Sequence, residues 1–192
     1  MSPATGKPPS PLVPGRECGD CTECCINLRI HTATLKKPAN IPCLHLADGG
    51  GCDIYDARPS TCRSFHCGWR MLGGLADAWR PDRSRIMIRV EEDGLVLDGM
   101  GSVRPVLASP VLKFISTCIR NGVTVYLGMP GRPGRRAAKL LLNELLAPAV
   151  DARAMGALVR ELVRAIDHGA ASVPPADAVH PVRFRRTDRG KP

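Results

Sequence analysis

Residues 18–25 read CGDCTECC. Within this run Cys18, Cys21 and Cys24 follow C-x2-C-x2-C, which places three sulfurs around one tight turn where they can converge on a single metal centre. That is the spacing of the first three cluster ligands in bacterial-type ferredoxins, and it also contains the C-x2-C knuckle of zinc sites. Cys25 adjoins Cys24, and neighbouring side chains point apart, so Cys25 faces a second centre or none. Four more cysteines follow, Cys43, Cys52, Cys62 and Cys67, in IPCLHL, GGGCDIY and RPSTCRSFHC. Their spacings are too long for one knuckle, so separate loops must carry them. Eight of the nine cysteines therefore fall in the 50 residues from Cys18 to Cys67.

The first 16 residues hold five prolines and no apolar stretch of the secretory kind. In a chain with no export signal, a dense cysteine cluster points to metal or redox chemistry, because a reducing cytosol keeps thiols free. Residues 17–70 are also dense in turn signals, such as LADGGGC and DARPS, and poor in helical periodicity. Such a segment cannot bury enough apolar area to fold alone, and a bound metal, whose binding free energy becomes folding free energy, would hold it. Eight thiolates can complete two zinc sites of four cysteines each, one iron–sulfur cluster with a zinc, or one cluster with structural thiols left over. Spacing alone does not choose among these. The C-x2-C-x2-C run suits a 4Fe–4S cubane, and a cubane held by three protein thiolates keeps one iron open to a substrate or an electron donor. Any such site accumulates negative charge, which Arg58, Arg63 and Arg70 lie close enough in sequence to offset. His31, His45 and His66 are candidate substitute ligands, His66 foremost because it adjoins Cys67.

CGDCTECC, then IPCLHL, then GCDIYDARPSTCRSFHC, strongly resembles the YkgJ-type cysteine-cluster family, the CxxCxxCC zinc- or iron-chelating domain. The similarity covers about residues 18–70. The double cysteine, the Pro-Cys, the Gly-Cys-x-Ile-Tyr and the Arg-Pro-x-x-Cys-Arg-x-Phe-x-Cys recur in order, with all eight cysteines of the pattern in place. The resemblance implies metal chelation, zinc or iron, at Cys18, Cys21, Cys24, Cys25, Cys43, Cys52, Cys62 and Cys67. Flagellin lysine methylases share a similar cysteine motif and are thought to need an iron–sulfur cluster. Their extra methyltransferase region has no counterpart in this sequence, so their activity is not carried over.

Outside the cluster the character changes. RSRIMIRV, EEDG and LVLDG predict two strands joined by a turn. SPVLKFISTCIRNG predicts a helix with Ser109 as N-cap, Pro110 at its first position and Gly122 as its stop. VTVYL at 123–127 alternates and is β-branched, hence a strand. RRAAKLLLNELL at 135–146 carries apolar residues at helical spacing, and residues 151–168 repeat it with Leu158, Leu162, Val163 and Ile166 on one face. Cys118 lies in a helical segment whose periodicity accounts for it as a small buried hydrophobe. The expected organisation is a Pro-rich disordered arm (1–16), the cysteine segment (17–70), a supporting unit (71–170) and a loose basic tail (171–192). The fold class is α+β: a metal-stapled irregular segment packed on a hairpin, a strand and two to three helices.

Composition sets the outer bounds. The chain has 192 residues, 44% hydrophobic and 23% charged, as an ordinary globular domain does. No window approaches the roughly 18 consecutive apolar residues that span a bilayer, which argues against a membrane protein and for the cytoplasm. The formal charge of +9 is spread thinly, apart from the tail RFRRTDRGK. With 4% aromatics there is little to stack on bases, which argues against nucleic-acid binding. GMPGRPGRR at 128–136 lacks the signatures of a P-loop or a dinucleotide fold and reads as a connecting loop. Glu91 and Glu92 open the hairpin turn, where solvated charge belongs. The leading expectation is a cytoplasmic metal-binding protein holding an iron–sulfur cluster or zinc. Its rivals are a structural zinc module that presents the α+β unit to a protein partner, and a cluster-dependent enzyme that modifies protein side chains.

Overall fold

The computed structural model describes residues 12–33, 35–129, 138–172 and 181–182. The fold is α+β. In chain order the elements are α1 (Glu23–Asn27), β1 (Ile30–His31), β2 (Lys36–Lys37), α2 (Ser60–Ser64), α3 (Gly68–Met71), α4 (Pro81–Ser84), β3 (Ile86–Glu91), β4 (Gly94–Gly99), α5 (Ser109–Arg120), β5 (Val125–Met129), β6 (Ala138–Leu141), α6 (Asn143–Asp151), α7 (Met155–Ser172) and β7 (Pro181–Val182). Two short 3-10 turns, Asp77–Trp79 and Arg104–Leu107, complete the set. No helix among the described residues is long and apolar enough to cross a membrane.

The scaffold is a five-stranded sheet in the order β3-β4-β5-β6-β7. β3 and β4 form the expected antiparallel hairpin, with Ile86 opposite Gly99 and Glu91 opposite Gly94. β5 then runs parallel to β4, with α5 in the connection, and β6 turns back antiparallel to β5. Alternation along the strands sends Ile86, Ile88, Leu95, Leu97, Val125, Leu127 and Leu140 into one core. Val111, Leu112 and Ile115 of α5, Leu146 and Val150 of α6, and Leu158 and Leu162 of α7 join them there. Arg89, Asp98, Glu91 and Lys139 stand at the intervening positions of the strands and form ion pairs with one another.

Two sequence readings shift. The helix of residues 109–120 begins one residue earlier than expected, at Ser109 itself, with Ala108 as its cap. The Ala108 carbonyl accepts the N–H groups of Val111 (2.9 Å) and Leu112 (3.0 Å), so Ser109 is already helical. The larger correction is at 135–146. Residues 138–141 form strand β6, paired through Tyr126–Leu141 and Leu127–Leu140, and the helix starts only at Asn143. Asn143 fixes that switch: its Oδ1 accepts the Val125 N–H at 2.7 Å and its Nδ2 donates to the Val123 carbonyl at 2.9 Å. Residues 130–137, which include most of the glycine-arginine loop, lie outside the described residues, as do 1–11 of the arm. Of the tail expected at 171–192, residues 171–172 continue α7 and 181–182 form the edge strand β7, parallel to β6, while 173–180 and 183–192 lie outside the described residues.

The cysteine segment docks through its last turn. α3 lies against β3, and Trp69 and Leu75 are buried in the same core as the helices. Gly68 makes that approach feasible, because a Cβ there would sit 2.7 Å from the Ile88 side chain. The described end of the arm closes over the same place. Val13 N donates to the Arg70 carbonyl at 2.8 Å. Arg16 donates to the carbonyls of Trp69, Leu72 and Leu75, with its guanidinium 5.3 Å from the Trp69 ring centre.

Candidate metal centre

Each thiol is positioned by a short local device. The Cys18–Cys21 knuckle is closed by the Cys21 N–H donating to the Cys18 carbonyl at 3.0 Å. Cys24 and Cys25 lie in the single turn of α1. Cys43 is held beside that turn, its N–H donating to the Cys25 carbonyl at 3.0 Å. An isolated antiparallel bridge between Leu46 and Cys52 folds the next loop back. Gly50 and Gly51, at φ of 90° and 88°, supply a reversal that L side chains rarely adopt. Cys62 lies in α2, and Cys67 immediately precedes α3.

These devices deliver Cys18, Cys21, Cys24, Cys25, Cys43, Cys52 and Cys62 to the wall of one cavity of about 150 Å³. A water molecule's share of liquid volume is about 30 Å³, so the cavity exceeds the needs of one tetrahedral ion. Leu28, Ile30, Leu35, Ile54 and Phe65 furnish its apolar lining, and His45 and Arg58 reach it as well. Cys67 stands behind this wall, packed against the main core. All nine cysteines are free thiols. The Sγ atoms of Cys24 and Cys25 lie 3.9 Å apart, far beyond the roughly 2.05 Å of a disulfide. Among the described residues, no three His, Cys, Asp or Glu side chains meet closely enough to hold a metal ion as they stand. The thiols share a cavity wall without touching a common point.

Burial and charge act strongly on these thiols. Burial pushes Cys21, Cys62 and Cys67 up from the ordinary thiol range. Cys24 is pushed up by its hydrogen bond to Cys25, by burial, and by the charges of Cys25, Cys18 and Cys21. Cys25 moves the other way, to about 7, because Cys24 donates to its sulfur and Lys37 and Arg58 favour its thiolate. Lys37 is 4% exposed. Its ammonium donates to the carbonyls of Ile26 (2.8 Å), Pro38 (2.9 Å) and Ile41 (2.7 Å). Burial lowers its pKa, while Cys43, Cys25 and Cys24 pull it back up.

Of the arginines singled out from sequence, Arg70 donates to Cys18 Sγ at 3.8 Å. Arg58 acts on Cys25 and Cys62 while stacked 3.5 Å above the Tyr55 ring. Arg63 is exposed. Sequence reasoning missed Lys37 and Arg80, the latter of which bonds Asp20 and interacts with Cys21. Of the three histidines singled out from sequence, His45 alone lines the cavity. His66 sits 3.4 Å from Arg70, its pKa lowered by burial and by Arg70 and Arg58, and His31 contacts Arg29. Cys118 packs on the core from α5, and burial alone raises it.

The donor chemistry fits a soft or borderline metal. Thiolates select zinc and iron–sulfur centres, and a buried ammonium behind thiols makes sense where those thiols carry negative charge. Fold and site together define an α+β protein carrying a cavity walled by cysteines from separate loops. No family profile, curated protein or solved structure matches the chain.

Proposed function

We propose that the protein is a cytoplasmic metal-binding protein whose cysteine cluster chelates an iron–sulfur cluster or zinc. The observation that carries this reading is the convergence of seven cysteines from separate loops on one cavity, backed by the buried cation Lys37. Thiols brought together from distant positions cost conformational freedom, and metal coordination repays that cost as folding free energy. The resemblance to the YkgJ-type pattern points the same way. An iron–sulfur cluster supplies electron transfer or an open iron; zinc supplies structure. Cys18, Cys21, Cys24, Cys25, Cys43, Cys52, Cys62 and Cys67 are the candidate ligands.

The structural zinc module that binds a protein partner draws support from a separate feature. Leu44 is 73% exposed and Tyr55 44% exposed, both within the cysteine segment. Anaerobic purification followed by iron, zinc and acid-labile sulfide analysis and a visible spectrum separates the two readings. A brown protein with matched iron and sulfide supports the cluster. A colourless zinc protein supports the structural module. Protein free of both metals, purified from medium supplied with both, refutes metal chelation.

A further inference from the structure

We infer that a second cavity, walled by α5 and by the junction of α6 with α7, binds a small phosphomonoester with an apolar body. None of its wall residues lines the cavity of the cysteines, so this site stands apart from metal binding.

The cavity holds about 300 Å³, the lower end of the roughly 300–1,000 Å³ of small-molecule sites. Its floor is apolar, made by the buried Ala149, Val150 and Leu158. Its rim is cationic. Lys113, Arg120 and Arg153 line it with the hydroxyls of Ser116 and Thr117, and among the described residues no Asp or Glu joins them.

Two local features of the sequence build this wall. Lys113, Ser116, Thr117 and Arg120 recur at helical spacing and share one face of α5, while Val111, Leu112 and Ile115 take the face that enters the core. The opposite wall follows from the way α6 ends. The Ala154 N–H donates to the Ala149 carbonyl at 3.0 Å and the Arg153 N–H to the Val150 carbonyl at 3.1 Å, the paired bonds of a Schellman turn. That turn sets Arg153 at φ 50°, a conformation glycine adopts without steric cost. An arginine there strains the backbone and places a guanidinium in the wall. The Leu158 N–H then donates to the Ala154 carbonyl at 3.0 Å, so the 18-residue α7 begins at the same wall. Its first N–H groups have no partner within the helix and favour an anion.

These cations also lack anions of their own. Arg80, Arg85, Arg89, Lys139 and Arg164 each pair with a carboxylate. Among the described residues, the side chains of Lys113 and Arg153 have neither an ion pair nor a hydrogen bond, and Arg120 reaches only the Thr117 hydroxyl at 3.4 Å. A carboxylate would answer one of the three charges. A phosphomonoester brings a charge of about −1.5 to −2 and three acceptor oxygens, which suit guanidinium forks, an ammonium and hydroxyl donors together. The apolar floor calls for carbon beyond the phosphate.

Proton–nitrogen correlation spectra of the full chain, titrated with phenyl phosphate, test the proposal. Saturable shifts are expected at the amides of Arg153, Met155 and Gly156. Inorganic phosphate and benzoate each lack one half of the ligand and should bind about tenfold more weakly. Arg153→Gly removes the guanidinium and gives the turn its preferred residue. It should weaken phenyl phosphate about tenfold while the thermal midpoint holds or rises. Lys113→Gln, on the exposed side of α5, should weaken it in the same direction. No saturable shift in the unsubstituted chain overturns the proposal, as does unaltered binding by Arg153→Gly or benzoate binding as tight as that of phenyl phosphate. A phosphoserine tetrapeptide that binds more tightly than phenyl phosphate overturns the small-molecule assignment in favour of a phosphorylated protein.

Discussion

Replacing Lys37 with Met isolates what the buried cation does for the cysteine segment. The side chains are similar in length, so little cavity is created, but three N–H···O bonds to Ile26, Pro38 and Ile41 disappear. Leaving a buried acceptor unpaired costs about 1–3 kcal/mol. Ile26 is half-buried, whereas Pro38 and Ile41 are exposed and water can replace the ammonium at their carbonyls, so the net loss is about 1.4 kcal/mol. The three carbonyls lie within residues 26–41, so the loss falls on the cysteine segment. A loss of about 1.4 kcal/mol raises the open population about tenfold, and proteolysis tracks that population when reclosing is fast. Native-state proteolysis with mass spectrometry should therefore show cleavage within 26–41 accelerating about tenfold. The main thermal transition, carried by the sheet and α5 to α7, should barely move. Unchanged cleavage there would refute the reasoning, as would a loss spread evenly over the whole chain.

Three further outcomes are expected. In the metal-free chain, alkylation of Cys25 should rise through pH about 7, ahead of Cys21, Cys62 and Cys67, which burial pushes up, and Cys24→Ala should move that rise to higher pH by removing the main cause of the shift; identical pH profiles by peptide mass mapping would contradict it. Arg89→Met strips the bonds at 2.6 and 3.3 Å from Asp98 and should cost about 3 kcal/mol at neutral pH in urea titration. Burial already raises Asp98 above its ordinary 3.8, so the folded variant binds that proton more tightly than the unfolded chain. Its stability thus falls as pH climbs from there through the raised folded value, and the deficit should be smallest near pH 4 and grow as pH rises; a deficit independent of pH argues against the pair. Removing metal with a chelator should expose residues 17–70 to protease while the far-ultraviolet signal of α5 to α7 persists, and unchanged resistance of 17–70 after complete removal would speak against metal stapling.

The parts of the fold that were legible in the sequence are those with a strong period. Ile86, Ile88, Leu95 and Leu97 alternate around a turn and form the hairpin, and Leu158 and Leu162 keep their helical face in the core. AKLLLNELL misled, because a short apolar run has no period that separates strand from helix. Pairing with β5 and the two bonds of Asn143 to residues 123 and 125 divide it, and both depend on partners remote in sequence. The same distinction runs through the site. Spacing was enough to pick out the cysteines that reach the cavity, whereas Lys37 and Arg80 act through contacts that leave no local pattern. Nor could spacing show that Cys67 stands behind the cavity wall, since that follows from α3 packing on β3.

X-ray absorption of the full chain, purified anaerobically from medium supplied with iron and zinc, tests the central claim most directly. The account predicts a bound metal with a first shell of sulfur alone, at about 2.3 Å if the metal is zinc. A first shell dominated by nitrogen or oxygen, or no metal retained, would contradict it.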